Sequence, residues 1–319
     1  MPHETGKLPV QAAATGDSMV TDTPGYVLVT AAFNEELYIA GTIESVIRQT
    51  ILPQRWVIVS DGSTDRTDSI VKEYAAQHGF ISFIRREKQG GHDFSAKSLA
   101  LEEGLRSLAD QDYSFYCTLD ADVTFDKTYF QSILAKFRDN PKLGIAGGIV
   151  LEYYGNKPRR RIASMSSVCG AVQCIRRECL QPDLGPVLTE IGGEDSVVEI
   201  KAKLNGWAVQ SFPELRIYHH RVTGAADAAN LKSKFNYGIT DYRLGNPVLF
   251  EILKCFQRVL ERPFFLSGLA IFLGYSFSHF NHPARLLSGD EIAFVKKMQM
   301  RKLKRGLCGL FRVRGGGSD

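Results

Sequence analysis

Two carboxylates one residue apart, Asp120 and Asp122, close the apolar run Cys117-Thr118-Leu119 and are followed by Val123. In an extended segment residues i and i+2 point to the same side, so the pair is expected to converge at the mouth of a sheet. Converging carboxylates can hold a hard divalent cation such as Mg²⁺, with substrate phosphates completing its shell. An ordinary turn after a strand also accounts for two aspartates, since Asp is common in turns. The neighbouring elements separate the two readings.

Those elements alternate. The apolar run Tyr26–Thr30 is followed by the loop Ala31-Ala32-Phe33-Asn34-Glu35-Glu36 and by a helix with Ile39, Ile43, Val46 and Ile47 at helical spacing. A second strand, Trp56–Ser60, runs into Asp61-Gly62-Ser63-Thr64-Asp65, a turn that opens a helix from Thr67 to about His78. A third strand (Phe80–Ile84), the loop Gln89–Phe94 and a helix from Ala96 lead to the fourth strand, Tyr113–Leu119, which delivers the aspartate pair. Strand–helix alternation with short connections predicts right-handed βαβ units and a mostly parallel α/β sheet. Ligands then bind at the carboxyl ends of the strands, which gathers Phe33, Asp61 and Asp120/Asp122 on one edge. Neither the Gly-x-Gly-x-x-Gly fingerprint nor a Gly-x-x-x-x-Gly-Lys-Ser/Thr loop is present, which argues against a dinucleotide enzyme or an NTPase.

Composition narrows the classes further. The chain has 319 residues, 44% hydrophobic, enough for a large core. A formal net charge of +4 does not demand a nucleic-acid partner. The six cysteines include no Cys-x-x-Cys pair, so buried free thiols are expected in spite of the five-residue spacing of Cys169, Cys174 and Cys179. Residues 1–24 are polar, without an apolar signal core, and read as a disordered tail; residues 315–319 read as a flexible end.

Four blocks in order, Thr30-Ala31-Ala32-Phe33-Asn34-Glu35-Glu36, Asp61-Gly62-Ser63-Thr64-Asp65, Asp120-Ala121-Asp122, and Gly193-Glu194-Asp195 followed by Leu204-Asn205-Gly206-Trp207, make the chain resemble the inverting glycosyltransferases of family 2, with the GT-A fold. The resemblance implies a catalytic domain over residues 25–225, with a nucleotide-sugar half (25–123) and an acceptor half (124–225). It implies a nucleotide-sugar donor, with uridine the commonest base, a saccharide or lipid-linked acceptor, and Mn²⁺ or Mg²⁺. The donor side would comprise Ala31, Phe33, Glu35, Asp61, Lys97 and Asp120. Phe33 or its neighbours would stack on the base and Asp61 would accept from its ring N–H, unless Asp61 only caps the Thr67 helix. Glu35 reaches either the ribose or only a helix start, and Lys97 either holds phosphate or is a solvated helix lysine.

Asp122 and His219, with His220 as the alternative, would bind the metal, imidazole being a common metal ligand. Asp195 would be the general base, because inversion needs a carboxylate to take the acceptor hydroxyl's proton as that oxygen attacks opposite the leaving diphosphate. Glu194 would orient the acceptor, and Arg221 would pair with phosphate on the acceptor side. Residues 157–179, with the basic run Lys157–Arg161 and then Gly170 to Cys179, would form the acceptor-side face, the basic run meeting an anionic acceptor or a membrane or being a solvated loop.

Residues 226–314 read as a helical extension. The Gln-x-x-Arg-Trp block of processive members is missing, which argues for one sugar per encounter. Residues 248–260 have helical periodicity with Glu251, Lys254 and Arg258 as a polar stripe. The uncharged run Phe264–Ser278 is short of the roughly 20 residues that span a bilayer. Lys296, Lys297, Arg301, Lys302, Lys304 and Arg305 lie among apolar residues, a basic amphipathic pattern suited to an anionic membrane surface. These helices could instead pack on the catalytic domain or on a second subunit of a homo-oligomer. The expected setting is peripheral, at the cytoplasmic face of the cell membrane, in surface polysaccharide or glycolipid synthesis. The rivals are a polyprenyl-phosphate glycosyltransferase, a non-catalytic sugar-nucleotide-binding scaffold, and a nucleotidyltransferase, which would need a Gly-rich triphosphate loop that is not found.

Overall fold

A computed structural model describes residues 25–87, 94–154, 157–161, 163–180, 193–221, 227–258 and 265–314. The expected terminal tails, the loop Gln89–Phe94 except Phe94, most of the loop Thr189–Gly193, Pro263 and Phe264, and the side chains of Arg305 and Cys308 lie outside it.

Strands β1 (Tyr26–Ala32), β2 (Arg55–Asp61), β3 (Ile81–Arg86) and β4 (Phe115–Leu119) alternate with helices α1 (Ile39–Ile47), α2 (Thr67–Gln77) and α3 (Phe94–Arg106). Then come β5 (Val123–Phe125), α4 (Tyr129–Asp139), β6 (Leu143–Tyr154), β7 (Lys157–Arg160), β8 (Val172–Arg176), α5 (Glu194–Leu204) and β9 (Ala208–His219). The sheet order is β3-β2-β1-β4-β8-β6-β9-β5, with β7 beside β6. The first four strands are parallel, while β8 runs antiparallel to β4 and β5 antiparallel to β9.

Both faces of the parallel part are covered, which is why β1 reads as a continuous apolar run. Side chains alternate along it: Tyr26, Leu28 and Ala32 join Ile39, Ile43, Phe130 and Phe137 on one face. Val27 and Val29 join Val57, Val59, Ala100 and Leu101 on the other. Strand order reverses at β1, with β2 on one side and β4 on the other. Such a switch point opens a crevice at the carboxyl ends of the strands.

Helices α6 (Asp227–Arg243), α7 (Val248–Arg258), α8 (Leu266–Asn281) and α9 (Gly289–Arg314) follow. They dock on the catalytic sheet layer through Val197 and Ile200 of α5, which pack with Leu244, Leu287 and Val295. Close approach of α6 to α8 requires two glycines. A Cβ on Gly238 would meet the Ile271 carbonyl at 2.0 Å, and one on Gly274 the Phe235 carbonyl at 2.0 Å. Among the described residues no helix is long and apolar enough to cross a membrane. Five cysteines (117, 169, 174, 179 and 255) are free, as expected.

Candidate active site

Asp120-Ala121-Asp122 forms a turn between β4 and β5 instead of the continued strand that the i, i+2 argument assumed. Tertiary hydrogen bonds bring the carboxylates together. The Asp120 N–H donates to the Ala171 carbonyl (2.9 Å), the Thr42 hydroxyl to the Ala121 carbonyl (2.8 Å), and the His220 N–H to the Asp122 carbonyl (2.9 Å). Antiparallel β5–β9 pairing sets Val123 opposite His219 and so delivers the imidazole to the turn.

Asp120, Asp122 and His219 each offer a ligand atom, all within 4.8 Å of one another. His219 Nε2 lies 3.2 Å from Asp122 Oδ1, and its buried Nδ1 has no hydrogen-bond partner among the described residues. Two carboxylates suit Mg²⁺ or Mn²⁺, and an available imidazole nitrogen favours the transition metal of the two. The donor set therefore fits a divalent cation. His220 points the other way, as alternation along β9 demands. Its ring stacks near Tyr38 and Tyr153 and its Nε2 lies 2.8 Å from the Thr124 hydroxyl.

Burial would raise the Asp122 pKa, but the His219 hydrogen bond and the charges of His219, Arg221 and Lys97 hold it below the usual range. Burial would likewise lower His219, yet Asp122 raises it on balance. Arg221 lies on this side of the site rather than by Asp195. Its Nη2 is 2.6 Å from Glu35 Oε2, its Nε 3.9 Å from Asp122 Oδ2, and its guanidinium stands over Tyr38. An ion pair should lower Glu35, but burial and the nearby Asp122 outweigh Arg221 and push it up to about 7.

Lys97, carried by α3, joins the two acidic groups of the site. Its Nζ is 2.7 Å from Asp120 Oδ1. Burial disfavours its charge, but Asp120, Glu194 and Asp195 raise its pKa on balance. Glu194 and Asp195 occupy the first turn of α5. Burial pushes Glu194 up against the opposing pull of Lys97. The Ser196 N–H donates to Asp195 Oδ1 at 2.7 Å. Gly170 lies against the other oxygen, where a Cβ would come within 3.1 Å of Asp195 Oδ2. Gly170 falls in the 157–179 stretch expected on the acceptor side, but the sequence carried no signal for its contact with Asp195, which is 25 residues away and on another element.

Around the end of β2, two loops lace together. The Asn34 side chain accepts from the Thr64 N–H (2.8 Å), the Glu35 N–H donates to the Thr67 hydroxyl (2.7 Å), and the Glu36 N–H to Asp65 Oδ2 (3.0 Å). This explains why the first two motif blocks occur together: each completes the other's turn. Asp65, not Asp61, takes the first N–H of the helix, accepting from the Thr67 N–H at 2.9 Å, while Arg66 is the N-cap residue. Asp61 is buried at the end of β2 and accepts from Arg86 Nη1 at 3.0 Å, while Arg86 also pairs with Glu103 at 2.8 Å. Sequence reasoning missed Arg86. Its only signal was a position at the carboxyl end of β3. Ala31 lies in β1 opposite Val59, and the half-buried Phe33 follows at the strand's end.

The family model described as Glycosyl transferase family 2 matches residues 27–187. The poly-beta-1,6-N-acetyl-D-glucosamine synthase of Staphylococcus epidermidis is 30% identical over 151 residues, 47% of this chain and 32% of that protein. That of Staphylococcus aureus (strain COL) is 26% identical over 159 residues, 50% of this chain and 34% of that protein. The chain thus spans about a third of the length of these curated relatives. Among solved structures, the mannosyltransferase PcManGT from Pyrobaculum calidifontis, in complex with GDP-Man and Mn²⁺, aligns with TM-score 0.55 at 16% identity, over 92% of this chain and 88% of that one. S. aureus TarS in complex with UDP-GlcNAc aligns with TM-score 0.50 at 16% identity, over 81% and 73%. These neighbours share the GT-A fold.

Proposed function

The chain belongs to glycosyl transferase family 2, and from that premise we propose that it moves a sugar from a nucleotide-sugar, a UDP-sugar in the first instance, to a saccharide or lipid-linked acceptor with inversion. The observation that carries this reading is the convergence of Asp120, Asp122 and His219 within 4.8 Å, with Lys97 linking Asp120 to the acidic start of α5. A binding scaffold needs no such second acidic group.

In the proposed reaction the acceptor hydroxyl loses its proton to Asp195 as its oxygen attacks the anomeric carbon. The bond from that carbon to the diphosphate oxygen breaks on the opposite face, and the nucleoside diphosphate leaves. A divalent cation on Asp120, Asp122 and His219 would supply positive charge for the departing diphosphate. Lys97 and Arg221 add fixed positive charge on the same side. Gly170 and the Ser196 N–H hold the Asp195 carboxylate in place. Asp61, Phe33 and the backbone of Ala31 border the space for the base.

The outer face of α7 and α8 supports interfacial attachment at the cytoplasmic side of an anionic membrane. Phe256, Leu273, Phe277 and Phe280 are 71%, 50%, 50% and 84% exposed, and Lys296, Lys297, Arg301 and Lys304 are exposed on α9.

Calorimetry with UDP and with GDP, each in Mn²⁺ and in EDTA, tests the donor site. Binding of one nucleotide that requires metal and is lost in Asp122→Ala is expected. Metal-independent binding that Asp122→Ala leaves intact would remove the metal site from the reading.

A further inference from the structure

Behind Asp195 a cleft of about 350 Å³ runs between β7, α5 and the C-terminal helices. Its volume lies in the range of small-molecule sites, roughly 300–1,000 Å³. Six cations line it, Arg160, Arg161, Lys203, Lys254, Arg258 and Lys302, against three carboxylates, Asp195, Glu199 and Asp241. Two of those carboxylates are already engaged: Glu199 with Lys203 at 3.1 Å, and Asp241 with Lys254 and with Asn246 Nδ2 at 2.9 Å.

Three of the cations have no carboxylate partner among the described residues. Arg160 donates to Met165 Sδ at 3.4 Å and Arg161 to Cys169 Sγ at 3.6 Å, both weak acceptors, and Lys302 forms no ion pair. Lys302 has its pKa lowered, first by burial and then by Lys203, with Glu199 opposing. Arg161 and Lys302 are half-buried and Arg160 is exposed, and a half-buried cation without a counter-ion is costly unless an anion joins it. Arg161 feels Cys169 most, then Tyr237 and Glu152, and Asp195 least, and it lines the same cleft as Asp195 and Lys302. An anion on Arg161 and Lys302 would therefore share the cleft with the carboxylate assigned to activate the acceptor.

Resting on the glycosyltransferase reading, we propose that this cleft is the acceptor subsite and that it takes a phosphate ester carried by the acceptor. The planar forks of Arg160 and Arg161 suit phosphate oxygens, and Lys302 adds a point charge. The catalytic sheet supplies one wall and α7 and α9 the other, so the helical extension would select the acceptor as well as carry the apolar outer face.

Glucose 6-phosphate, glucuronate and glucose serve as probes, titrated calorimetrically into the full chain with UDP and Mn²⁺ present to fill the donor site. Glucose 6-phosphate should bind at least about tenfold tighter than glucose or glucuronate. The double variant Arg161→Gln/Lys302→Gln should lose that preference while UDP binding stays unchanged, which also shows that it is folded. Asp122→Ala should lose UDP and keep the sugar phosphate, so a failed donor site and a failed acceptor site give different patterns. Equal binding of the three probes, an unaffected double variant, or loss of the sugar phosphate in Asp122→Ala would overturn the proposal. So would a double variant that keeps glucose 6-phosphate but no longer floats with phosphatidylglycerol vesicles, because the cations would then serve lipid headgroups.

Discussion

The parallel strands and the C-terminal helices use apolar residues in opposite senses. In β1 and β2 every apolar side chain is buried or packed, and apart from Arg55 at the start of β2 the polar residues gather toward the carboxyl ends where the site lies. In α7 the polar stripe turns inward: Glu251 is fully buried and Lys254 pairs with Asp241 of α6, while Val248, Leu249, Leu253 and Phe256 face outward. Amphipathic spacing thus reveals that a helix has two faces, and its neighbours decide which face is inside. The inward charges of α6 and α7 border the cleft behind Asp195; the outward apolar face is the surface proposed for membrane contact.

The largest expected effect tests the catalytic half. Asp195→Asn should retain nucleotide binding and lose about 10²–10⁴-fold in transfer rate, measured at saturating donor. Unchanged turnover would move the base elsewhere. The outer face of the helices comes next. Replacing Phe256, Leu273 and Phe277 together by Ser should release the protein from anionic liposomes by tenfold or more, at roughly 1.5 kcal/mol per side chain removed from lipid. Little change in thermal midpoint is expected, since these residues are at least half exposed. Unaltered flotation would place any membrane contact on another surface.

Gly238→Leu tests the contact between α6 and α8, where added atoms meet backbone. Unfolding stability should fall by about 2 kcal/mol or more, and a wild-type midpoint would show that the two helices can move apart cheaply. The smallest effect concerns Glu251. Burial, with Asp241 nearby, pushes its pKa up to about 8 from the ordinary 4.5. The folded state then holds a proton that the unfolded chain gives up, so stability drains away as pH rises from about 4.5 to 8. Glu251→Gln cannot lose that proton, so its melting temperature should gain a few degrees on wild type between pH 5 and pH 8. A pH-independent difference would mean that Glu251 is ionised in the fold.

Much of the catalytic half was legible. Continuous apolar runs predicted β1, β2 and β4, and turn residues placed the loops at their carboxyl ends. Asp61 and Asp120/Asp122 were readable because short motifs at strand ends lie close to one another in any sheet of this type. The contact of Gly170 with Asp195 and the pairing of Arg86 with Asp61 and Glu103 were not, since they are made between separate elements. Arg221 was expected on the acceptor side, and β9 instead carries it to Glu35 and Asp122.

The sequence by itself determined the alternation of strands and helices, the switch-point edge and the types of group gathered there. It could do so because hydrophobic period and turn chemistry are local properties of the chain. Only the tertiary structure decided that His219 rather than His220 meets the carboxylates, because the β5–β9 register sets which ring turns inward. It alone turned the α7 charges toward α6 and walled the cationic cleft with residues from β7, α5 and α9. Those outcomes depend on which surfaces meet, and no spacing along a single segment encodes that.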